Sequence, residues 1–358
     1  MKPSKHFLAT TSLLVGAFVM AAPLCVKVAP QDGRVKSNVG HQGEELTYRL
    51  VNSLLRKRGA VIWWPWEALP WSLEVLNATL GSVVSQSGAA PCETWRTVRP
   101  VVRPPQWRDR PTHAEARRRV YAYCGLLAET ERPPPFAVRV LERLDDDDAS
   151  SPGHRRRVAL CEDKKLLTTR TPTKNLRRLE RRIGDVASFE RLAKDAAERA
   201  KVDVDFKVVK FSSKDPGSFC EQIRRFVEAD VLISIHGAHL VNVPFLRPRS
   251  LLFEVLPWAH AKKKHHRRLL LNTDVHYDKL CGERPRGLPF HDEAFCEGRS
   301  EAARTCSTKV RDCFPTRVPP CNTTGCACLA HLGDRLLRFF LSSSQSSHNR
   351  RRALRDLE

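Results

Sequence analysis

One segment of the chain, residues 221–257, limits the possible folds more than any other. It contains Val231–Ile235, a short apolar run with no helical period, which predicts a buried strand. The run stops at His236, and the glycine that follows permits a sharp turn. An apolar stretch then leads to a second buried run, Leu251–Leu256, which contains Glu254. The pattern predicts a βαβ unit with the histidine at the carboxyl end of its first strand, where ligands bind in open α/β sheets.

Strands and helices alternate through the second half of the chain. A short strand at 166–169 ends at Arg170, a helix is predicted for residues 188–200, and an alternating apolar pattern predicts a strand at 202–211. A further helix begins at Ser218 and leads into the βαβ unit. This order is typical of an α/β protein with a doubly wound parallel sheet.

The βαβ segment also carries a longer pattern: an apolar strand, a turn of small residues, an apolar helix, a proline and a strand with an embedded glutamate. The residues that define it are Ala229, Asp230, His236, Gly237, Ala238, Asn242, Pro248 and Glu254. This pattern resembles the signature of glycosyltransferase family 61. His239 stands where the family has its second glycine, and Val241 where it has a hydroxyl residue.

The resemblance covers about residues 170–277, roughly a third of the chain. It includes Arg170, the pair Arg182-Ile183, the segment 219–223 and a late tyrosine at Tyr277. Gly184 or Asp185 falls where the family has an asparagine, which is a departure from its pattern.

The resemblance implies a fold of two Rossmann-like domains in a GT-B-like arrangement, with a parallel sheet in the C-terminal domain. It implies transfer of a sugar from a nucleotide-sugar donor, which we expect to be a UDP-sugar, to a hydroxyl of a protein or polysaccharide, without a bound cofactor. The residues expected to bind the donor are Arg170, Arg182, His236, Gly237, Ala238, His239, Asn242 and Glu254. The sequence identifies no catalytic base.

The two arginines suit the diphosphate of such a donor, because a leaving phosphate must be stabilised by positive charge. Glu254 is either a ligand of the donor ribose or a buried partner of an arginine. The acidic run at 145–148 lies beside serine, proline and glycine, which is typical of a solvated linker rather than a metal site. We therefore expect no metal and a reaction that is metal-independent.

The N-terminus predicts entry into the secretory route. Lys2 and Lys5 precede an apolar run at 7–26 whose length lies between a signal-peptide core and a membrane span. Small residues allow cleavage, although Pro23 directly after them favours a retained anchor; a buried N-terminal helix is the alternative. We expect a protein of the Golgi or endoplasmic reticulum lumen, either secreted or anchored as a single-pass type II membrane protein.

The chain has 12 cysteines, and seven of them lie in residues 281–328. In an oxidising compartment this cluster predicts disulfide bonds. A zinc site formed by Cys321, Cys326, Cys328 and His331 is the alternative. Asn77-Ala-Thr79 and Asn322-Thr-Thr324 are glycosylation acceptors if the chain is lumenal.

The N-terminal half contains a tryptophan-rich segment at 63–71, which is interpreted as a packed corner of a core, with a sugar-stacking surface as the alternative. A helix is predicted for residues 113–127, with Ala114, Val120, Tyr123 and Leu126 on its inner face. A strand is predicted for 136–141.

These features divide the chain into five regions. They are a signal peptide or anchor at 1–30, a stem and N-terminal acceptor-side domain at 31–155, a nucleotide-sugar-binding domain at 156–280, a cysteine-rich region with a final helix at 281–341, and a disordered tail at 342–358.

The composition also allows a second class of function, a non-catalytic protein that binds anionic partners. The chain has 61 Lys and Arg against 40 Asp and Glu, a formal charge of +21, which favours anionic partners. The basic runs at 117–119, 262–268 and 350–352 could belong to a lumenal or secreted protein that binds polyanions. A catalytically inactive family member is a further alternative, because His239 and Gly184 depart from the family pattern. The apolar N-terminus argues against a nucleic-acid partner, and the run at 262–268 is interpreted as a solvated helix start.

Overall fold

The computed structural model describes residues 25–28, 42–55, 61–64, 68–81, 83–85, 96–98, 106–126, 135–144, 183–212, 217–258, 265–283, 316–319 and 328–355. Two β-sheets lie in this part of the chain, and both are parallel. Helices alternate with their strands, so the α/β class predicted from the sequence is confirmed. The two-domain GT-B arrangement stays a prediction.

The first sheet has four short strands in the spatial order β3-β2-β1-β4. They are β1 Cys25–Val28, β2 Val61–Trp63, β3 Val83–Ser85 and β4 Arg96–Val98. The second sheet has five strands in the order β6-β5-β7-β8-β9. They are β5 Phe136–Leu144, β6 Val204–Ser212, β7 Val231–Ile235, β8 Leu251–Leu256 and β9 His276–Cys281.

Seven α-helices accompany the sheets in the described residues. They are α1 Tyr48–Leu54, α2 Pro70–Leu80, α3 Arg110–Tyr123, α4 Val186–Ala200, α5 Phe219–Val227, α6 His265–Leu269 and α7 Leu329–Arg355. A π-helical turn, Gly43–Thr47, leads into α1, and a 3-10 helix, Ala238–Phe245, joins β7 to β8. The βαβ prediction is thus confirmed, with a 3-10 helix as its helical part.

The local sequence explains where α5 begins and which of its faces packs on the core before the chain enters β7. Ser218 and Glu221 form a capping box, in which each side chain bonds the other residue's backbone N–H. Phe219, Ile223 and Phe226 lie on the buried face of the helix at helical spacing. The helix therefore begins at a defined residue and delivers the chain to β7 in a fixed direction.

The second sheet is covered on both faces, and its alternating residues belong to two cores. Ile233 and Phe253 pack in the core that includes residues of α4 and α7. Leu232 and Leu252 pack in the core formed with the N-terminal helices and the 3-10 helix. Because a strand sends successive side chains to opposite faces and both faces are covered, every residue of β7 and β8 is buried, including the polar Ser234 and Glu254.

The N-terminal helices hold the 3-10 helix through its main-chain carbonyls. Tyr48 donates its hydroxyl to the carbonyl of Val241 at 2.6 Å, and Tyr121 donates to the carbonyl of Phe245 at 2.9 Å. Carbonyls in a 3-10 helix that contains a proline lack part of their internal bonding, and buried carbonyls without partners cost about 1–3 kcal/mol each. The two tyrosines remove that cost and fix the segment after β7.

The tryptophan-rich segment contributes to the same core. Trp64 is fully buried and Trp71 is 6% exposed, which confirms the packed-corner interpretation for these two residues. Trp66 lies outside the described residues.

Two strands pair with strands that lie beyond a predicted region boundary, and the division into regions itself stays a prediction. Strand β1 lies within the region 1–30 assigned to a signal segment, yet Val26 and Val28 are fully buried in the first sheet. Strand β5 lies on the N-terminal side of the boundary at 155, yet it pairs with both β6 and β7 in the second sheet. The boundary at 155 was predicted from the acidic linker beside it. The sheet to which β5 belongs is decided by its pairing with β6 and β7, which lie far along the chain.

The C-terminal region also differs from the prediction. Helix α7 continues to Arg355, through most of the tail predicted to be disordered. Its packed stripe, Leu332, Leu336 and Phe340, ends before the tail begins. A serine- and arginine-rich composition argues against a packed core, but no proline or glycine interrupts the helix there, and arginine, alanine and leucine are good helix formers.

The inner face of α3 was predicted only in part. Val120 is buried, but Ala114 is exposed and Tyr123 is 44% exposed. Polar residues take the inner positions instead: His113 is 1% exposed, and Arg117 is 5% exposed. Both have partners across the core, which is the condition for burying such groups.

A disulfide bond joins the two halves of the structure. Cys124, next to the end of α3, is bonded to Cys220 in α5. Cys25 and Cys281 are disulfide-bonded as well. The remaining cysteines of the C-terminal cluster lie outside the described residues except for Cys328, which is buried.

The zinc alternative is not supported at its histidine, because His331 bonds to the carboxylate of Asp278 at 2.8 Å. Its ligands Cys321 and Cys326 lie outside the described residues. Within those residues, no helix has the length and apolarity that a membrane span requires.

We expect the buried His113 to make the protein less stable in mild acid. Burial, and then the charge of Arg117, lower the pKa of His113 from 6.5 to about 4. As the pH falls, the His113 imidazole is therefore protonated near pH 6.5 in the unfolded chain but only near pH 4 in the folded chain. The stability is fully present above pH 6.5, and about 3 kcal/mol of it is lost as the pH falls to 4.

The measurement is urea unfolding between pH 5 and 6.5. His113→Gln keeps a donor for the carbonyl of Pro244, but its amide side chain does not titrate. The slope of the unfolding free energy against pH should therefore fall by up to about 1.4 kcal/mol per pH unit. His331→Gln, in α7, is the control for loss of a histidine. An unchanged slope in His113→Gln would contradict the assignment.

Candidate functional site

The strand order of the second sheet creates one place where loops diverge. The chain runs from β5 to β6 on one side and then crosses to β7 on the other side of β5. The order therefore reverses between β5 and β7, and ligands of such sheets bind beyond the carboxyl ends of the strands at this point. His236 follows β7 directly, with its backbone N–H donated to the carbonyl of Val255 at 2.9 Å.

A buried cluster lies at this edge and is centred on Glu254, which is 1% exposed. His236 donates from Nδ1 to Glu254 Oε1 at 2.6 Å, and His266 donates from Nδ1 to the same oxygen at 2.5 Å. Tyr277 donates its hydroxyl to the other oxygen, Oε2, at 2.7 Å. One carboxylate thus joins the end of β7, strand β8, helix α6 and strand β9.

The cluster keeps Glu254 ionised. Burial raises the pKa of its carboxyl, but interaction with His266 and His236 outweighs burial and lowers the pKa well below its ordinary value. Burial, and then the charge of Glu254, raise the pKa of Tyr277, so its hydroxyl stays protonated. Because an ionised carboxylate only accepts hydrogen bonds, both imidazole Nδ1 atoms must carry a proton.

Within the described residues, His236, Glu254 and His266 also form the one group of three ligand atoms close enough to hold a metal ion, all within 4.8 Å of one another. Each histidine Nδ1 lies at hydrogen-bond distance, 2.5 and 2.6 Å, from Oε1 of the glutamate. Two ligands about 2.0–2.2 Å from one tetrahedral ion would be farther apart than this. The geometry fits a hydrogen-bonded cluster better than shared coordination.

The turn after β7 accommodates the histidine that replaces a glycine. His239 Nε2 lies 2.8 Å from the hydroxyl of Ser234, and its ring lies against Phe211 with 4.8 Å between centroids. Non-glycine residues with positive φ in the described part of the chain are Lys201, Arg249 and Asn272. His239 lies in the 3-10 helix, so its side chain meets no backbone strain.

Gly237 and Ala238 stand between His236 and the rest of the 3-10 helix, at the carboxyl edge predicted for them. Gly237 has extended backbone angles, φ −173° and ψ 169°, and Ala238 begins the helix. The chain therefore leaves the sheet at Gly237 and turns into the helix at Ala238.

Two residues of the signature contact protein groups away from the cluster. The side chain of Asn242 is buried, and its Oδ1 accepts the indole N–H of Trp71 at 2.7 Å. Asp230, at the opposite end of β7, accepts from the backbone of Ala137 and from Arg247. The structure thus does not bring Asn242 to the cluster, and its predicted donor contact stays a prediction.

Arg170 and Arg182 lie outside the described residues, so their predicted role is untested. The described chain resumes at Ile183, where Gly184 donates its N–H to Thr316 at 2.7 Å. A cavity of about 620 Å³ opens here, lined in part by Ser188, Arg191, Leu192, Glu283, Arg317 and Leu329. Helix α4 ends beside the amino end of β6, so its beginning, and this cavity, lie towards the carboxyl edge of the sheet.

Sequence reasoning missed His266. It belongs to the run at 262–268 that was interpreted as solvated, but its side chain is 2% exposed. Leu269 and Leu270, which directly follow the run, are buried as well. These two apolar residues were the signal in the sequence that the run packs on the core. For Glu254 the arginine alternative is not supported, because its partners in the described residues are two histidines and a tyrosine. The alternative of a contact to the donor ribose stays a prediction.

We expect Glu254→Gln to destabilise the protein although it preserves shape. The amide can still accept from the two imidazoles, but it loses the charge that strengthens these bonds. The expected loss is about 1–3 kcal/mol of unfolding free energy at pH 7, measured by urea unfolding. Glu198→Gln, an exposed position in α4, is the matched control. Equal stability of the two variants would show that the cluster is not held by an ionised carboxylate.

The family model for Glycosyltransferase 61 matches residues 69–253, which is more than half of the chain. The match begins well before Arg170 and so includes helices of the N-terminal half. A search of curated proteins found no match.

Proposed function

Because this chain belongs to glycosyltransferase family 61, we propose that it transfers a sugar from a nucleotide-sugar donor, a UDP-sugar, to a hydroxyl of a protein or polysaccharide. Membership in the family supports a glycosyltransferase with a nucleotide-sugar donor and an acceptor. The observation that carries the proposal is the placement of His236 at the carboxyl edge of the second sheet, bonded to the buried Glu254, where its strand order reverses.

The reaction makes two demands on the site. The acceptor oxygen bonds to the anomeric carbon of the donor while the bond from that carbon to the diphosphate breaks. The electron pair leaves with the nucleoside diphosphate, and the proton of the acceptor hydroxyl passes to a base. The site must therefore stabilise negative charge on the diphosphate and receive a proton.

We assign the first demand to the turn after β7. His236 is held there by its hydrogen bond to Glu254, and the 3-10 helix begins two residues later at Ala238. Arg170 and Arg182 add positive charge in this proposal, as the family resemblance implies. Support for an active site comes from His239, which occupies the glycine position of the family without backbone strain.

Metal independence is part of the proposal. The potential metal ligands His236, Glu254 and His266 are engaged with one another by hydrogen bonds. Positive side chains would then take the role that a divalent cation has in other transferases.

A place in the secretory route is also proposed. The disulfide bond between Cys124 and Cys220 supports an oxidising compartment, because such bonds are rare in the cytosol. Residues 1–24, which precede β1, are where we place the signal peptide or type II anchor; they lie outside the described residues. Asn77 is exposed, as a glycosylation acceptor in the Golgi or endoplasmic reticulum lumen must be.

The main test is donor binding and transfer across a panel of UDP-sugars with the full chain. His236→Ala should lower kcat/KM about a hundredfold or more for the preferred donor, because it removes a group that contacts the donor in the proposal. His276→Ala, at an exposed histidine in β9, is the matched control. The transferase proposal fails if no donor binds and His236→Ala changes nothing. Salt-sensitive binding to heparin without nucleotide affinity would favour the polyanion-binding alternative.

Chelation tests metal independence separately. We expect the transfer rate to be the same, within about twofold, in EDTA and in added Mn²⁺, because arginine and histidine rather than a cation neutralise the diphosphate. A loss of activity in EDTA that Mn²⁺ restores would overturn this part of the proposal and leave the transferase assignment intact.

A further inference from the structure

We propose that His266 and Tyr277 are positioning residues that act on His236 through Glu254. The inference concerns the cluster itself and rests on the proposed function only for the role of His236 at the donor. His266 lies in the basic run at 262–268, and Tyr277 lies in the edge strand β9.

Both carboxylate oxygens of Glu254 are held by hydrogen bonds. Tyr277 holds its Oε2 at 2.7 Å from β9, and His266 holds its Oε1 at 2.5 Å from α6. Side chains of all three residues lie in the interior or at its margin, and Glu254 is 1% exposed. The carboxylate is thus bonded through one oxygen to β9, the neighbour of β8 on the side away from β7, and through the other to α6, whose His266 ring lies 5.0 Å from the ring of His236.

The carboxylate held in this way in turn orients the imidazole of His236. Its Nδ1 donates to Oε1 at 2.6 Å, which sets the ring orientation and forces the proton onto Nδ1. In the neutral ring the other nitrogen, Nε2, is then the unprotonated one. A ring held in this tautomer can accept a hydrogen bond or a proton at Nε2, which a freely rotating ring would do only part of the time.

Packing alone does not explain why a charged cluster is buried here. Phe253 and Val255, the neighbours of Glu254 in β8, are fully buried, and an apolar residue would fit the same strand. A buried charge with its partners is often no more stabilising than apolar packing. The charge of Glu254 lies near the carboxyl edge of the sheet, where it orients His236, the residue that directly follows β7.

The test follows the tautomer of His236 by NMR. Long-range ¹H–¹⁵N spectra of the full chain with ¹⁵N-labelled histidine report which ring nitrogen carries the proton, and His236→Gln assigns the signal. We expect the Nδ1–H tautomer in the wild type at neutral pH. His266→Leu should give a mixture of tautomers, whereas His266→Asn, whose amide nitrogen can still donate to Oε1, should restore the single form.

Tyr277→Phe provides an independent variant in case His266→Leu does not fold, and it should also give mixed tautomers. His276→Leu, exposed in β9, is the control and should leave the spectrum of His236 unchanged. An Nε2–H tautomer in the wild type, or an unchanged His236 signal in folded His266→Leu or Tyr277→Phe, would overturn the proposal.

Kinetics separate this inference from the proposed function. His266→Leu should lower kcat/KM for the donor roughly tenfold or more, and His266→Asn should recover most of the loss. If the tautomer shifts as expected but no variant transfers sugar, the positioning stands and the transferase proposal fails. If transfer occurs but the tautomer is insensitive to His266 and Tyr277, the positioning fails alone.

Discussion

The burial of one negative charge organises the C-terminal half of the molecule. Glu254 lies in the middle of an apolar strand, and burial of an isolated carboxylate is strongly unfavourable. Two imidazoles and a phenol hydroxyl offset that cost, and each comes from a different element. One carboxylate therefore joins β8 to the end of β7, to α6 and to β9.

A second constraint comes from the N-terminal half. The 3-10 helix after β7 contains a proline and exposes carbonyls that tyrosines and a histidine of the N-terminal helices bind. Arg117 of α3 adds a bidentate ion pair to Asp274, at 2.7 and 2.8 Å, and the disulfide between Cys124 and Cys220 joins α3 to α5. The turn that carries His236 is thus held from both halves, which agrees with a family match that begins at residue 69.

Much of the second sheet was predictable because its signals are local. The apolar runs of β7 and β8, the cap at Ser218 and the strand at 136–141 all appear in the structure. Their placement was less predictable: the sheet to which β5 belongs depends on pairing with residues about 70 to 90 positions later. The inner face of α3 was missed because His113 and Arg117 are buried against partners that only the fold supplies.

For the site, the sequence by itself determined that a histidine follows a buried strand and that a glutamate lies inside the next strand, because apolar runs and a glycine turn are read directly from neighbouring residues. Only the tertiary structure decided that these two residues touch, that His266 joins them, and that Asn242 bonds to Trp71 instead. The physical reason is that hydrogen bonds between side chains depend on strand register and helix docking. Those are set by packing across the whole core, and residues 12 to 171 positions apart meet only when it forms.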